Sequence, residues 1–215
     1  MPFYDQLVAA TAAAREELAR IPVVARALTG DVTREEYRAF LGQAYHHVRH
    51  TVPLLMACGA RLPDRHEWLR AAVAEYIEEE LGHEQWILDD VASAGGDPER
   101  VRAAAPAPAT ELMVAYAYDV IARRNPVGFF GMVFVLEGTS VSLATRAAEA
   151  IRERLALPPT AFRYLTSHGS IDQGHVRFLE DLLNRLEDAA DREAVIHCAV
   201  MFYRLYGDIF RTLTP

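Results

Sequence analysis

Cysteine is scarce in this chain. Cys58 and Cys198 are the two in 215 residues. Each sits in an apolar run (LLMACGA and IHCAVMF), so a disulfide framework is excluded and both read as small buried hydrophobes. Long apolar runs are missing as well. No stretch reaches the roughly 18 uncharged apolar residues of a membrane span. The first residues, MPFYDQLVAA, lack the basic-then-apolar order of a signal peptide. A soluble, cytoplasmic protein is expected. Positive charge is nowhere concentrated. The formal net charge is -8, and the arginines are interspersed with acidic residues as on a solvated helix face, so neither nucleic acid nor membrane is an expected partner. Strand patterning, internal repeats, low-complexity segments and composition breaks between domains are all absent.

What the chain does have is helical periodicity. Half of it (51%) is hydrophobic, enough for a sizeable core, and Ala, Leu, Arg and Glu dominate at helical spacing. A first helix is expected from about Asp5 to Ile21. Thr33 and Glu36 form a capping-box pattern that opens a second, with a kink at Pro53. A third runs from near Pro63 to Gly95 and Gly96, and Thr110 caps a fourth that reaches Asn125. Pro126 opens a fifth, broken at Pro158 and Pro159. A short helix to about Ser167, one carrying IDQGHVRFLEDLLNRL, and a last one from Arg192 to about Thr212 complete an all-α, compact bundle of about seven helices. Residues 1–215 are read as one domain. The apolar last helix is expected to bury against the bundle or against a second subunit, which makes a homodimer an expectation.

Three features carry chemistry. Glu80 and His83, in EELGH, are three apart and would share one helix face, a recurring way for a bundle to offer a carboxylate and an imidazole to one metal centre. Alone, the pair is a weak signal and reads rather as part of a solvated acidic face with Glu78, Glu79 and Glu84. His168, Asp172 and His175 form H-x-x-x-D-x-x-H, whose offsets of four and seven make one helical stripe. A polar surface bearing two histidines is the alternative. Glu137 lies inside GFFGMVFVLEGTSVSLA, where a buried carboxylate needs a metal or a cationic partner such as a buried arginine. Together these are six candidate ligands, three nitrogen and three oxygen, a set that suits iron or manganese better than structural zinc.

The order E-x-x-H, a lone glutamate in an apolar helix, then H-x-x-x-D-x-x-H resembles the haem-oxygenase-like di-iron oxidases, across about Glu35 to Leu186. The resemblance implies the seven-helix fold shared with haem oxygenase, TenA and PqqC proteins. It also implies a cofactor of one or two Fe(II) ions and dioxygen as co-substrate. The oxidised small molecule would be, for instance, an amino-acid or fatty-acid derivative. By that resemblance Glu80, His83 and His175 hold one iron, and Glu137, His168 and Asp172 complete or bridge a second. Glu79 is an alternative ligand to Glu80. Tyr76, Phe130, Phe134 and Tyr164 are expected pocket walls. His47, which shares a face with His50, is a candidate for substrate positioning or proton transfer beside Tyr76. Arg49 and Arg163 are candidates for holding a substrate carboxylate. Competing readings are a TenA-like thiamin hydrolase with a cysteine nucleophile, a PqqC-like oxidase without metal, and a non-enzymatic adaptor with a vestigial site. A haem-degrading enzyme is weaker still, since the first helix has no histidine.

Overall fold

The computed structural model describes residues 1–139 and 143–213, with the side chains of 167–175 outside that description. Every regular element among the described residues is helical. There are more helices than the seven or so expected, and the reasons are local. The first expected helix is two, α1 (Phe3–Ala10) and α2 (Ala12–Ala19). They meet at Thr11, whose hydroxyl donates to the Leu7 carbonyl at 2.8 Å and competes with the backbone for that acceptor. Pro22 begins a short helix, α3 (Pro22–Ala27), because a first-turn proline loses no needed N–H.

The capping box forms as the spacing predicts. Thr33 Oγ1 accepts the Glu36 N–H at 3.1 Å, and the Glu36 carboxylate accepts the Thr33 N–H at 2.7 Å. It opens α4 (Arg34–Val48). The break before α5 (Thr51–Arg61) falls at Arg49 and His50. That is one turn ahead of Pro53, which offers no N–H to the Arg49 carbonyl and crowds it. The expected third helix is also divided, into α6 (Glu67–Glu80) and α7 (His83–Ser93). Between them Gly82 takes φ 87°, a conformation that costs glycine nothing.

A short α8 (Pro98–Ala103) precedes α9 (Pro108–Arg123). Pro108, not Thr110, begins α9, and the Thr110 hydroxyl instead donates to Gln43 Oε1 at 2.7 Å. The expected fifth helix is a 3₁₀ turn (Pro126–Phe129), then α10 (Phe130–Thr139) and α11 (Thr145–Leu155). The break expected near Ser167 is absent, and α12 (Arg163–Asn184) runs through it. The chain closes with α13 (Ala189–Arg211).

α13 buries within its own bundle, with Val195, Ala199, Phe202, Tyr203 and Tyr206 inward. Its closest neighbour is α10. A Cβ added at Gly131 would lie 2.6 Å from the Ala199 nitrogen and the Val195 oxygen, so glycine is what lets the two backbones meet. The start of α13 is pinned by Asp191, which is fully buried and accepts from His66 Nε2 and Asn125 Nδ2, both at 2.7 Å. Burial pulls this carboxyl up, but those hydrogen bonds and the nearby Arg65 outweigh it and hold it below the usual range. No helix among the described residues is long and apolar enough to cross a membrane.

Candidate active site

The break between α6 and α7 falls inside the E-x-x-H motif. Glu80 is the last residue of α6 and His83 the first of α7, so the two do not share one helix face as expected. The turn at Leu81 and Gly82 nevertheless brings them together, with His83 Nδ1 3.1 Å from Glu80 Oε2. Their side chains are 4% and 12% exposed, which is not a solvated acidic face. The His83 ring lies against Trp86, with centroids 4.0 Å apart. The Arg163 guanidinium covers the Trp86 ring at 4.4 Å. This stack restricts the imidazole's orientation.

Glu137 is buried near the end of α10. It lines a cavity of about 70 Å³ together with Glu80, His47, Tyr76 and Tyr164. Phe129 of the 3₁₀ turn and Met132, Val133 and Leu136 of α10 form further walls. Phe130 and Phe134, expected as walls, point elsewhere: Phe134 packs edge-on against Tyr4 and Tyr203, and Phe130 is in the core. Tyr76 and Tyr164 are walls as expected. The Tyr76 phenol is pushed above its ordinary range, first by burial and then by the Glu137 carboxylate, with Glu79 and Glu80 adding to it. It therefore stays protonated and keeps a proton to donate in a hydrogen bond. His47 is buried and sits edge-on to Tyr206 at 5.9 Å. His50 is half-buried, with Nδ1 3.2 Å from the Tyr118 hydroxyl. Arg49 lies over Tyr45, and neither it nor Arg163 lines the cavity.

The other three expected ligands, His168, Asp172 and His175, belong to α12, in the stretch whose side chains lie outside the described residues. Among the described residues, no group of three His, Cys, Asp or Glu side chains stands close enough to hold a metal ion. What those residues do supply is two carboxylates on one buried cavity, Glu80 of α6 and Glu137 of α10, with the His83 imidazole of α7 against Glu80. By donor chemistry, that set fits a cation such as ferrous iron, and α12 is the element from which its completion would come.

One residue the sequence reading missed is Asp90. It is fully buried and accepts the backbone N–H groups of Arg163 and Tyr164 at 3.0 and 2.9 Å. It is a cap for α12 supplied from α7. Burial pushes its carboxyl up to about 6 against the two hydrogen bonds. One helix thus carries His83, Trp86 and Asp90 on the side facing α12. The signal was available: Asp90 is seven residues after His83, two turns along the same face, but Asp89–Asp90 reads as solvated. The cysteines are both buried and free, and neither lines the cavity.

The sequence profile of a family described as "Iron-containing redox enzyme" matches residues 38–207. The chain belongs to this family. Its fold is haem-oxygenase-like. A domain of unknown function with that fold from Shewanella denitrificans is 24% identical, with a TM-score of 0.89 over 99% of this chain and 92% of that one. A TenA homologue from Pseudomonas syringae pv. tomato is 12% identical, with a TM-score of 0.81 over 99% and 93%. Haem oxygenase-1 from the cyanobacterium Synechocystis, solved with haem, is 16% identical, with a TM-score of 0.78 over 99% and 92%. No curated protein matches the sequence. At these identities the solved structures share the fold, and the family membership rests on the profile.

Proposed function

We propose that this family member is a non-haem iron oxidase that uses dioxygen to oxidise a small molecule. Glu80, His83, Glu137, His168, Asp172 and His175 would hold one or two Fe(II) ions. The observation that carries the reading is that Glu80, with His83 hydrogen-bonded to it, and Glu137 line one buried cavity in a chain of the iron-containing redox family. Bound ferrous iron supplies the reaction with dioxygen. The chain's own groups do the rest. Glu80 beside His83 Nδ1 sets which imidazole nitrogen is free to ligate, since one ring nitrogen must carry the proton. The apolar walls from α5 and α10 keep water out. The protonated Tyr76 hydroxyl gives a fixed hydrogen-bond donor at Glu137's end of the cavity. His47, buried between this cavity and Tyr206, can take up or release a proton at its ring nitrogen. The thiol-hydrolase alternative is disfavoured, because both cysteines are buried away from the cavity.

The test is oxygen uptake. Anaerobic protein loaded with ferrous iron is mixed with buffer of known oxygen content and followed with an oxygen electrode. Uptake stoichiometric with iron is expected in the wild type, and it should be lost in His83→Ala and Glu137→Gln. Equal uptake by the metal-free protein, or by both variants, would contradict the proposal.

A further inference from the structure

A second, larger cavity of about 100 Å³ lies next to the candidate site. Its walls come from α3, α4, α11 and α13, with Thr139 of α10 and Tyr164 of α12. Tyr164 lines both cavities. The His47–Tyr206 ring pair spans from one to the other, since His47 lines the first and Tyr206 the second. Thr139 is two residues beyond Glu137 on α10.

Two features say what this space is for. The first is residue size. Where α3 and α11 face it, the chain places Ala27, Ala144 and Ala147, although Leu or Ile there would close the gap and add stability. Interiors are normally packed without such voids, and each one costs stability. The second is polarity. The one charged group among the described lining residues, Glu36, is already engaged by Arg26 and by the Thr33 N–H. The Tyr37 hydroxyl donates to the Ala161 carbonyl at 2.6 Å. With Glu36 and Tyr37 so engaged and most of the described lining aliphatic or aromatic, the cavity gives water little to bind, and apolar cavities accept apolar molecules.

We infer that this cavity receives the apolar body of the same small molecule whose reactive end meets Glu80 and Glu137. The substrate class is an amphiphile with a polar, oxidisable head and an uncharged hydrocarbon body. The inference rests on the oxidase reading for the head and on the cavity alone for the body. Tyr164, anchored through its N–H on Asp90, forms the shared wall past which the body turns.

The experiment separates the two. The uncharged fluorophore 1-aminoanthracene is titrated into metal-free protein and then displaced with octanohydroxamate or acetohydroxamate. Ala147→Trp on α11 and Val24→Phe on α3 fill the cavity from two different helices, and helical circular dichroism verifies their fold. One probe molecule per chain is expected, displaced by the octyl compound at least 100-fold more readily than by the acetyl one. Each methylene buried should contribute about fourfold. Both variants should lose the probe and the chain-length preference. In iron-loaded protein the hydroxamate absorption band should show the same preference, again only in the wild type. No probe uptake by the wild type, unchanged uptake in a folded variant, or affinity independent of chain length would overturn the inference. Iron content is measured on the same samples. A wild type without iron that still shows the chain-length effect would sink the oxidase reading and leave the apolar site standing.

Discussion

Replacing Gly131 by alanine should loosen the α10–α13 contact and disturb the site six residues further along α10. The new Cβ would stand 2.6 Å from the Ala199 nitrogen and the Val195 oxygen, short by about 0.8 Å of the 3.4 Å at which ordinary contact begins. Both obstructing atoms are backbone, so no rotamer change relieves them and the helices must part. Overpacking of this kind costs about 1–3 kcal/mol, and backbone obstruction argues for the upper end. Helix propensity returns about 1 kcal/mol for Gly→Ala. The net expectation is a loss of about 2 kcal/mol. Gly42, in α4 with no described atom within 4 Å of an added Cβ, provides the opposite sign, a gain of about 0.5–1 kcal/mol. Urea unfolding followed by circular dichroism measures both, with unchanged m-values making the midpoints comparable. Since α10 carries Glu137, Gly131→Ala should also weaken iron binding, whereas Gly42→Ala should not. A neutral or stabilising Gly131→Ala would refute the claim that glycine sets the distance between these helices.

Further predictions concern buried titratable groups. Asp90→Ala should destabilise the protein by about 1–2 kcal/mol at pH 7, because two backbone donors of α12 lose their acceptor. The folded-state value of about 6 for Asp90 lies above its ordinary 3.8, so the folded protein holds that proton more tightly. Asp90's contribution to stability is then fully present only below about pH 3.8 and is lost as pH rises through 6. The gap between wild type and Asp90→Ala should widen on acidification from pH 7 to 4, by at most about 3 kcal/mol. A gap that narrows would show that the carboxylate form is the stabilising one. Cys58, fully buried with its thiol pushed up to about 12, and Cys198, raised by burial, should resist a thiol reagent in native protein and react once it is unfolded. Rapid native labelling coupled to loss of activity would restore the thiol-hydrolase reading.

Much of the fold was legible because helical spacing and end signals are local. The Thr33–Glu36 box and the glycine stop at Gly95 act within a few residues, and both appear where the sequence places them. The breaks were less legible. Gly82 is tolerated inside many helices, and what divides α6 from α7 is the packing of each against different neighbours. The break at Arg49 and His50 follows from Pro53, but the sequence suggests a kink rather than two helices. For the site, residue types marked Glu80, His83 and Glu137, whereas the cavity forms only when α4, α5, α6, α10 and α12 pack together, and the Trp86–Arg163 stack and the Asp90 cap exist only once α7 and α12 meet. The phase of α10 also escaped, since GFFGMVFVLE is apolar around Glu137 on every side and gives no signal of which of its apolar residues face the cavity.

The most direct test of the iron assignment is metal content. Protein purified anaerobically, loaded with ferrous iron and freed of excess is analysed for iron per chain, alongside Glu137→Ala and His175→Ala. One to two irons per chain in the wild type, with loss in both variants, is the predicted result. A wild type without stoichiometric iron, or the same content in all three, would contradict the account.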